Sequence, residues 1–439
     1  MLNVLLRVVL WSAVYLLVTV LPLGVAVLGA TPTGRGFLIE FGVGLGLVGF
    51  AMVGLQFVTT ARFQWVAPYF GSDAKVQFHR ETGILAMALL LAHPIVLFVA
   101  NPQYLEFLNP WVNLPRAVFL SGATVALILL VVLPLWRVSL RMSYEWWRVT
   151  HGALAFAVIF VGLAHALQVG HYVAGIGKQA AWVVGTGLAL GLLFHTRIVT
   201  PLRMRRTPYR VVEVQPDCPE VYRLVLQPDG HVGMRFRAGQ YAWLTIGETP
   251  YTLQQHPFSF TSSEAAQERI EFGIKKLGDF TATIKDVPPG ARAFLEGPYG
   301  SFMLDPQAEG AVFVMGGIGV TPALSMLRTC RDREDRRQLL LIYANNRWEE
   351  IPFRQELEAL REQLNLEIVH VVAEPPEGWE GESGYVTEEL LARRLAGRQE
   401  LDLQYFVCGP PPMMEVVERG LVAQGVPLSR LYSERFDLV

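Results

Sequence analysis

Four histidines lie inside long apolar runs of this chain: His79 and His93, then His151 and His165. Within each pair the spacing is the same, fourteen residues. Fourteen residues of helix rise about 21 Å and return to within about 40° of the same face. Each run therefore presents two imidazoles on one side, one near each edge of a hydrocarbon layer about 30 Å thick. Neutral imidazole ligates metals, and two facing imidazoles suit the axial positions of haem iron. A single histidine in an apolar helix is readily explained by a carbonyl partner or a cavity. Two pairs with identical spacing, in a setting where polar side chains are costly, predict two bis-histidine haem sites stacked across a membrane.

These residues need helices to hold them. The chain has 439 residues, room for two to four domains. Up to about Val199 it is apolar; beyond Pro201 it is an ordinary mixture rich in Glu, Arg and Pro. The apolar half predicts six membrane spans, at 4–29, 37–59, 79–100, 117–137, 146–168 and 180–199, each long enough to cross. The first is longer than the apolar core of a signal peptide and is expected to be retained. Basic residues set the orientation. Arg62, Lys75 and Arg80, then Arg137, Arg141 and Arg148, then Arg197, Arg203, Arg205 and Arg206 fall on one side. The other side holds Arg35, Arg116 and Lys178. The richer side is expected in the cytosol, and the second half of the chain with it. Spans three and five then run parallel, which pairs His79 with His151 and His93 with His165. His171 and His195 fall outside the pairs and are expected at the membrane boundary.

The net charge of −2 gives no basis for nucleic-acid binding. Cys218, Cys330 and Cys408 follow neither a CxxC nor a metal-ligand pattern, which fits a reducing compartment. From Tyr209 to about Asp305, short alternating runs (210–215, 221–227, 241–246, 270–275) broken by Gly and Pro predict a small antiparallel barrel. From Gly310 the rhythm is strand and helix in turn. The strand 311–315 runs into Gly316-Gly317-Ile318-Gly319-Val320-Thr321-Pro322 and a helix at 323–330. A strand at 339–344, a helix at 353–363, a strand at 366–372, a helix at 387–395 and a strand at 404–408 follow. That alternation predicts a parallel sheet with ligands at the carboxyl ends of its strands. A glycine-rich turn from strand to helix lets backbone N–H groups approach a pyrophosphate.

Taken together, these motifs resemble the ferric reductase and NADPH oxidase family. In that family a six-helix di-haem membrane domain is fused to a ferredoxin-reductase-like flavoprotein. In the membrane half the likeness lies in His79-Arg80-Glu81-Thr82-Gly83, His93-Pro94 and Trp147-Arg148-Val149-Thr150-His151. In the soluble half it lies in His256-Pro257-Phe258-Ser259-Phe260-Thr261-Ser262, Lys275 with Gly278-Asp279-Phe280-Thr281, and Gly297-Pro298-Tyr299-Gly300. Gly317-Ile318-Gly319-Val320-Thr321-Pro322, Cys408-Gly409-Pro410-Pro411-Pro412 and the near-terminal Phe436 complete it.

The resemblance implies a prokaryotic-type NADPH oxidase without regulatory domains. It implies a transmembrane domain at 1–200, an FAD-binding β-barrel at 205–305 and an NAD(P)H-binding α/β domain at 306–439. It also implies roles. Phe258 lies against the flavin ring and the Ser259 hydroxyl bonds the flavin near N5. His256, beside Pro257 in the flavin motif, and Lys275 approach the FAD phosphates, and Thr281 adds a hydroxyl. Many flavin reductases of this fold carry Arg where His256 stands. Gly317, Gly319, Thr321 and Pro322, with Gly409 and Pro410, line the nucleotide path. Cys408 and Glu434 sit near the reacting nicotinamide carbon, and Phe436 covers the flavin face that nicotinamide must use. Arg347, just past a strand end, could meet a ribose 2′-phosphate. Arg80 and Arg148 read as membrane-boundary anchors that could also pair with haem propionates.

The expected activity is electron transfer from NADPH or NADH through FAD and two b-type haems to an outside acceptor, dioxygen or chelated ferric iron. The expected surroundings are the lipid bilayer and that small acceptor. The sequence gives no calcium-binding loop and no Pro-rich docking segment for a regulatory subunit. A proton-relay transporter and a flavin reductase merely anchored by helices are the competing classes; a visible spectrum separates all three.

Overall fold

The computed structural model describes residues 2–28, 33–61, 72–398 and 401–436. Arg62 of the basic loop, the last residue of the first expected span and the three residues after Phe436 lie outside them. The chain forms two compact units, one holding Leu5–Arg62 with Ala74–Val199 and the other holding Thr200–Val439.

The first unit contains six long helices: α1 (Leu2–Val27), α2 (Phe37–Thr60), α3 (Ser72–Ala100), α4 (Leu114–Trp136), α5 (Tyr144–Val169) and α6 (Ile176–Phe194). All six are long and apolar enough to cross a membrane. Their large side chains face outward: Leu17, Val99, Phe160 and Leu188 are 65%, 74%, 56% and 68% exposed. Such surface suits a lipid surround. Inside, Met52, Val53, Ala86, Leu127 and Val158 pack together. Glycines bring the helices close. A Cβ on Gly49 would fall 2.9 Å from Leu90, and one on Gly162 would collide with the Phe50 ring.

Local signals set the helix ends. Asn113 accepts the Arg116 N–H at 3.0 Å to start α4, and Ser143 accepts the Trp146 N–H at 3.4 Å to start α5. Gly170, with φ +67°, ends α5. The third helix begins seven residues before the expected span. Its first turns carry Asp73, Lys75 and Gln77, so the helix continues after the apolar run stops. Hydropathy marks the span and not the helix.

The second unit begins with the short α7 (Thr200–Met204) and contains two sheets. The strands of the first are β1 (Tyr209–Cys218), β2 (Val221–Pro228), β3 (Tyr241–Ile246), β4 (His256–Ser259), β5 (Ile270–Lys275) and β6 (Arg292–Tyr299). They pair antiparallel in the order β4-β3-β6-β1-β2-β5. A short helix, α8 (Asp279–Thr283), follows β5. The sheet is barrel-like without full closure. Its edges meet through one bridge, Phe260 to Phe272, and the Thr261 N–H on the Glu271 carbonyl at 2.9 Å. Because β4 is only four residues long, no full ladder forms there. Leu224, Leu226, Leu244, Ile270 and Phe272 fill the interior.

The second sheet is built from β7 (Gly310–Gly316), α9 (Thr321–Asp332), β8 (Gln338–Arg347), α10 (Arg354–Gln363), β9 (Leu366–Glu374), β10 (Glu382–Ser383), α11 (Glu388–Leu395), β11 (Leu403–Cys408), α12 (Pro411–Ala423) and β12 (Leu431–Glu434). All pairs are parallel, in the order β10-β9-β8-β7-β11-β12. Two differences from the sequence reading stand out. Phe353 is not helical: it precedes α10 with φ +57° and ψ +21°. Elements α12 and β12 have no counterpart in the expected series. The first begins inside a run of three prolines and the second is four residues long, both weak local signals.

Candidate functional site

In the helical unit, the His79 and His151 ring centroids are 6.2 Å apart, and those of His93 and His165 are 6.4 Å apart. A metal–imidazole bond is about 2 Å and the nitrogen lies about 1 Å from its ring centre. Two imidazoles on opposite sides of one metal thus have centroids roughly 6 Å apart. Among the described residues no group of three or more His, Cys, Asp or Glu could hold a metal. Each pair supplies only two ligands, and a haem would supply the rest.

The surroundings fit that use. His93 Nδ1 lies 2.8 Å from the Gly42 carbonyl oxygen. A carbonyl only accepts, so Nδ1 carries the proton and Nε2 keeps its lone pair for a metal. Helix α2 reaches His93 because Gly46 has no side chain; a Cβ there would fall 2.7 Å from Nδ1. Thr59 Oγ1 lies 3.2 Å from His79 Nδ1. His151 Nδ1 is buried with no hydrogen-bond partner among the described residues, and the Trp147 ring packs 5.5 Å from the His151 ring. Beside the second pair, Phe107 meets His165 edge-on at 6.4 Å, and the Arg116 guanidinium sits 4.3 Å over the Phe107 ring. Arg116 also donates to the Glu106 carbonyl at 3.1 Å. Arg80 pairs with exposed Glu81 at 2.8 Å, as a boundary anchor does.

In the antiparallel sheet, β4 carries the motif 256–259 beside β3, with Phe258 opposite Ala242. Ser259 Oγ is buried with no hydrogen-bond partner among the described residues. An orphaned hydroxyl in such a place is costly unless a ligand completes it, which fits a flavin atom there. His256 is buried and stacks on Phe280 at 4.4 Å, with Phe258 6.2 Å from the same ring. Lys275 ends β5, half-buried. Thr281 Oγ1 accepts the N–H groups of Leu277 and Gly278 at 2.8 and 2.9 Å. Its hydroxyl therefore shapes the turn that starts α8.

The strand order of the parallel sheet reverses between β7 and β11, the crevice where ligands bind in open sheets of this kind. The glycine turn and the 408–410 segment meet there. A Cβ on Gly319 would fall 2.6 Å from the Cys408 carbonyl, and one on Gly316 would fall 2.7 Å from Pro410. Gly317 has φ +53°, and Pro322 sits in the first turn of α9. Thr321 Oγ1 donates to the Ile318 carbonyl at 3.1 Å. Cys408 is fully buried, opposite Glu434 of β12. Phe436 is 42% exposed. Arg347 is exposed and bound to Glu374 at 2.8 Å, with Glu350 at 4.0 Å. Its charge is therefore already countered by carboxylates.

The sequence reading passed over Arg223, Arg328, Phe353 and Glu356. A signal existed for one of them. Arg328 follows Leu324 by four residues and Thr321 by seven, on the buried face of α9.

The family pattern described as ferric reductase like transmembrane component matches residues 45–162. An FAD-binding domain pattern matches 220–302, and an oxidoreductase NAD-binding domain pattern matches 313–419. The reductase component of propane 2-monooxygenase from Rhodococcus jostii is 31% identical over 54% of this chain and 64% of its own length. NADH-cytochrome b5 reductase 1 from Candida glabrata is 30% identical over 50% of this chain and 78% of its own. This chain spans about three fifths of the length of the first curated relatives it matches. The ferredoxin reductase of carbazole 1,9a-dioxygenase, a solved structure, aligns over 52% of this chain and 69% of its own with a TM-score of 0.46 and 24% identity. Present in this order, the three patterns match a ferric reductase/NADPH oxidase-like architecture, a ferric-reductase-type transmembrane component joined to FAD- and NAD-binding oxidoreductase domains.

Proposed function

We propose that the protein carries electrons from cytosolic NAD(P)H through FAD and two b-type haems to dioxygen on the far side of the membrane, releasing superoxide. The three family patterns support a membrane-embedded oxidoreductase dependent on FAD and NAD(P)H. The observation that carries the finer reading is the pair of histidine couples, 6.2 and 6.4 Å between ring centroids, on two helices.

FAD, when bound, takes up a hydride and hands its electrons on singly, and haem iron relays single electrons. The chain's own work is to place and shield these groups. Ser259 offers its orphaned hydroxyl to the flavin ring and Phe258 offers an aromatic face. Lys275, with His256 nearby, supplies cationic character for a pyrophosphate. The turn Gly317–Thr321 and the segment Cys408–Pro410 form the nucleotide crevice, with Glu434 beside it. Phe436, exposed in this structure, would cover the flavin face and give way to nicotinamide. In the helices, the Gly42 carbonyl holds the His93 tautomer.

Arg116 supports dioxygen as acceptor. Its cation lies one aromatic ring from His165, where it would stabilise an anion formed from a neutral molecule. The same cation would also attract an anionic ferric chelate, the second reading. Basic residues concentrated on the loops beside His79 and His151 support the cytosolic placement of the flavin and nucleotide domains.

The test uses the purified full chain in proteoliposomes. Two b-type haems per chain and NADPH-driven cytochrome c reduction that superoxide dismutase abolishes are expected. A flavin-only spectrum overturns the haem reading. Anaerobic reduction of a ferric chelate, with no superoxide in air, replaces the oxidase by the ferric reductase.

A further inference from the structure

Between the two sheets of the second unit lies an ion network that no step above uses. Arg328 of α9 grips Glu356 of α10 with two parallel bonds, Nε to Oε1 at 2.6 Å and Nη2 to Oε2 at 2.9 Å. Its Nη1 crosses to the antiparallel sheet, donating at 2.9 Å both to the Thr261 carbonyl and to Glu271 of β5. Arg223 of β2 reaches the other way and donates to Glu356 at 2.6 Å. Arg223 also holds Asp217 Oδ1 through Nε and Nη2, at 2.8 and 2.7 Å. Asp217 Oδ2 in turn accepts the backbone N–H of Phe353 at 2.6 Å. Both guanidinium groups and all three carboxylates thus have partners, which makes the network specific in geometry. Burial alone would push the Glu356 carboxyl up, but Arg328 and Arg223 hold it below its ordinary value.

Phe353 sits at the centre. It is a bulky residue with φ +57°, a conformation it adopts only when its surroundings impose it. Its side chain is 1% exposed. The Arg223 guanidinium lies 4.6 Å from its ring centre. The ring enters a hole in β5 made by Gly273, where a Cβ would fall 2.6 Å from Phe353 Cζ and 2.8 Å from Thr321 Cγ2. Tyr343 Oη lies 3.0 Å from the Gly317 carbonyl and 3.1 Å from the Pro352 carbonyl. The Phe353 segment is therefore tied both to the nucleotide turn at Gly317–Thr321 and to β5, the strand that ends in Lys275.

We propose that Phe353, seated in the Gly273 hole and locked by Arg223, Arg328, Glu356 and Asp217, is a positioning residue that sets the nucleotide turn in register with the flavin sheet. The proposal rests on the NAD(P)H-to-FAD reading of the site. Transfer between two bound rings is sensitive to displacements near 1 Å, which can cost about 100-fold in rate. A knob from the loop before α10, seated in a hole of the antiparallel sheet, supplies that register directly.

The test takes the full-length protein in detergent with FAD supplied. Phe353→Ala, Gly273→Ala and the double variant Gly273→Ala/Phe353→Leu are compared with the parent. Anaerobic stopped-flow bleaching of the flavin at saturating NADPH gives the limiting rate. Amide hydrogen exchange in 213–228, 270–276 and 317–330 gives a readout that needs no activity. Each single variant is expected to keep its FAD, to lose about 10-fold or more in limiting rate, and to exchange faster in all three segments. The double variant is expected to recover part of the rate, because Leu lacks the Cζ that a Cβ at 273 would strike while the contact with Thr321 Cγ2 remains. Unchanged rate and exchange in both single variants, or a double variant no faster than Gly273→Ala, overturns the proposal. Should Gly273→Ala fail to retain FAD, Phe353→Ala and Glu356→Gln decide by the same two readouts. A parent whose flavin no nucleotide bleaches sinks the underlying reading instead, and the exchange data still decide whether the joint exists.

Discussion

The helical unit and the flavin–nucleotide unit place their chemistry in opposite ways. Among the helices, the apolar windows hold at most two Asp, Glu, Lys or Arg each, and the four paired histidines lie on two of the helices. Two of the imidazoles are held from helix α2: the Gly42 carbonyl and the gap at Gly46 serve His93, and the Thr59 hydroxyl serves His79. In the second unit, the crevice is made largely of backbone and glycine at strand ends, and its register depends on side chains far apart in sequence. Arg328 and Glu271 are 57 residues apart, and Arg223 and Glu356 are 133 apart. A low-dielectric membrane makes a polar residue conspicuous and its purpose narrow. A soluble sheet can hide its working parts in turns and interfaces.

The largest effect expected of any single change falls on the histidines. His93→Ala should remove one haem and stop electron flow to the outside acceptor, while NAD(P)H still bleaches the flavin. A spectrum with both haems and full acceptor reduction in this variant would break the contrast, since the helices would then not depend on single side chains. Ser259→Ala comes next. Losing a hydroxyl bond of about 1 kcal/mol to a bound ring should slow flavin reduction roughly fivefold, with haem bands unchanged. Stopped-flow bleaching measures it, and a parent-like rate would remove Ser259 from the flavin contacts.

Acid sharpens the same contrast. Glu356 is held below its ordinary value of 4.5. Its network therefore stabilises the fold fully above that value and loses the contribution as pH falls through the lowered one. The second unit should loosen in acid by hydrogen exchange at 217–228 and 354–363. Glu356→Gln should show that looser exchange already at pH 7, and the pH step should shrink. A step of equal size in parent and variant would assign it to other carboxylates.

The smallest effect concerns Arg347. Because Glu374 holds it at 2.8 Å, Arg347→Ala should raise the NADPH KM by only a fewfold relative to NADH. Glu374→Gln should improve NADPH binding by freeing the cation. Steady-state KM values for both nucleotides test this. Equal changes for NADPH and NADH in both variants would remove Arg347 from 2′-phosphate recognition.

By itself, the sequence determined much of this protein. Long apolar runs had to become six helices, and equal histidine spacing put two imidazoles on one face of α3 and of α5, because helical pitch is fixed by backbone geometry. Alternation of strand and helix after Gly310 determined the parallel sheet, and the motif at 256–259 falls on a strand where Ser259 is buried. Tertiary structure decided the rest. It made Phe353 a left-handed plug and not a helical residue, since the Asp217 carboxylate that accepts its N–H lies 136 residues away. It left the antiparallel sheet bridged at one point between its edges, because β4 is too short for a ladder. It gave Arg347 a carboxylate partner that no local pattern announces. Local spacing is written along the chain, but which distant groups share a proton or a hole is settled only when the sheets pack.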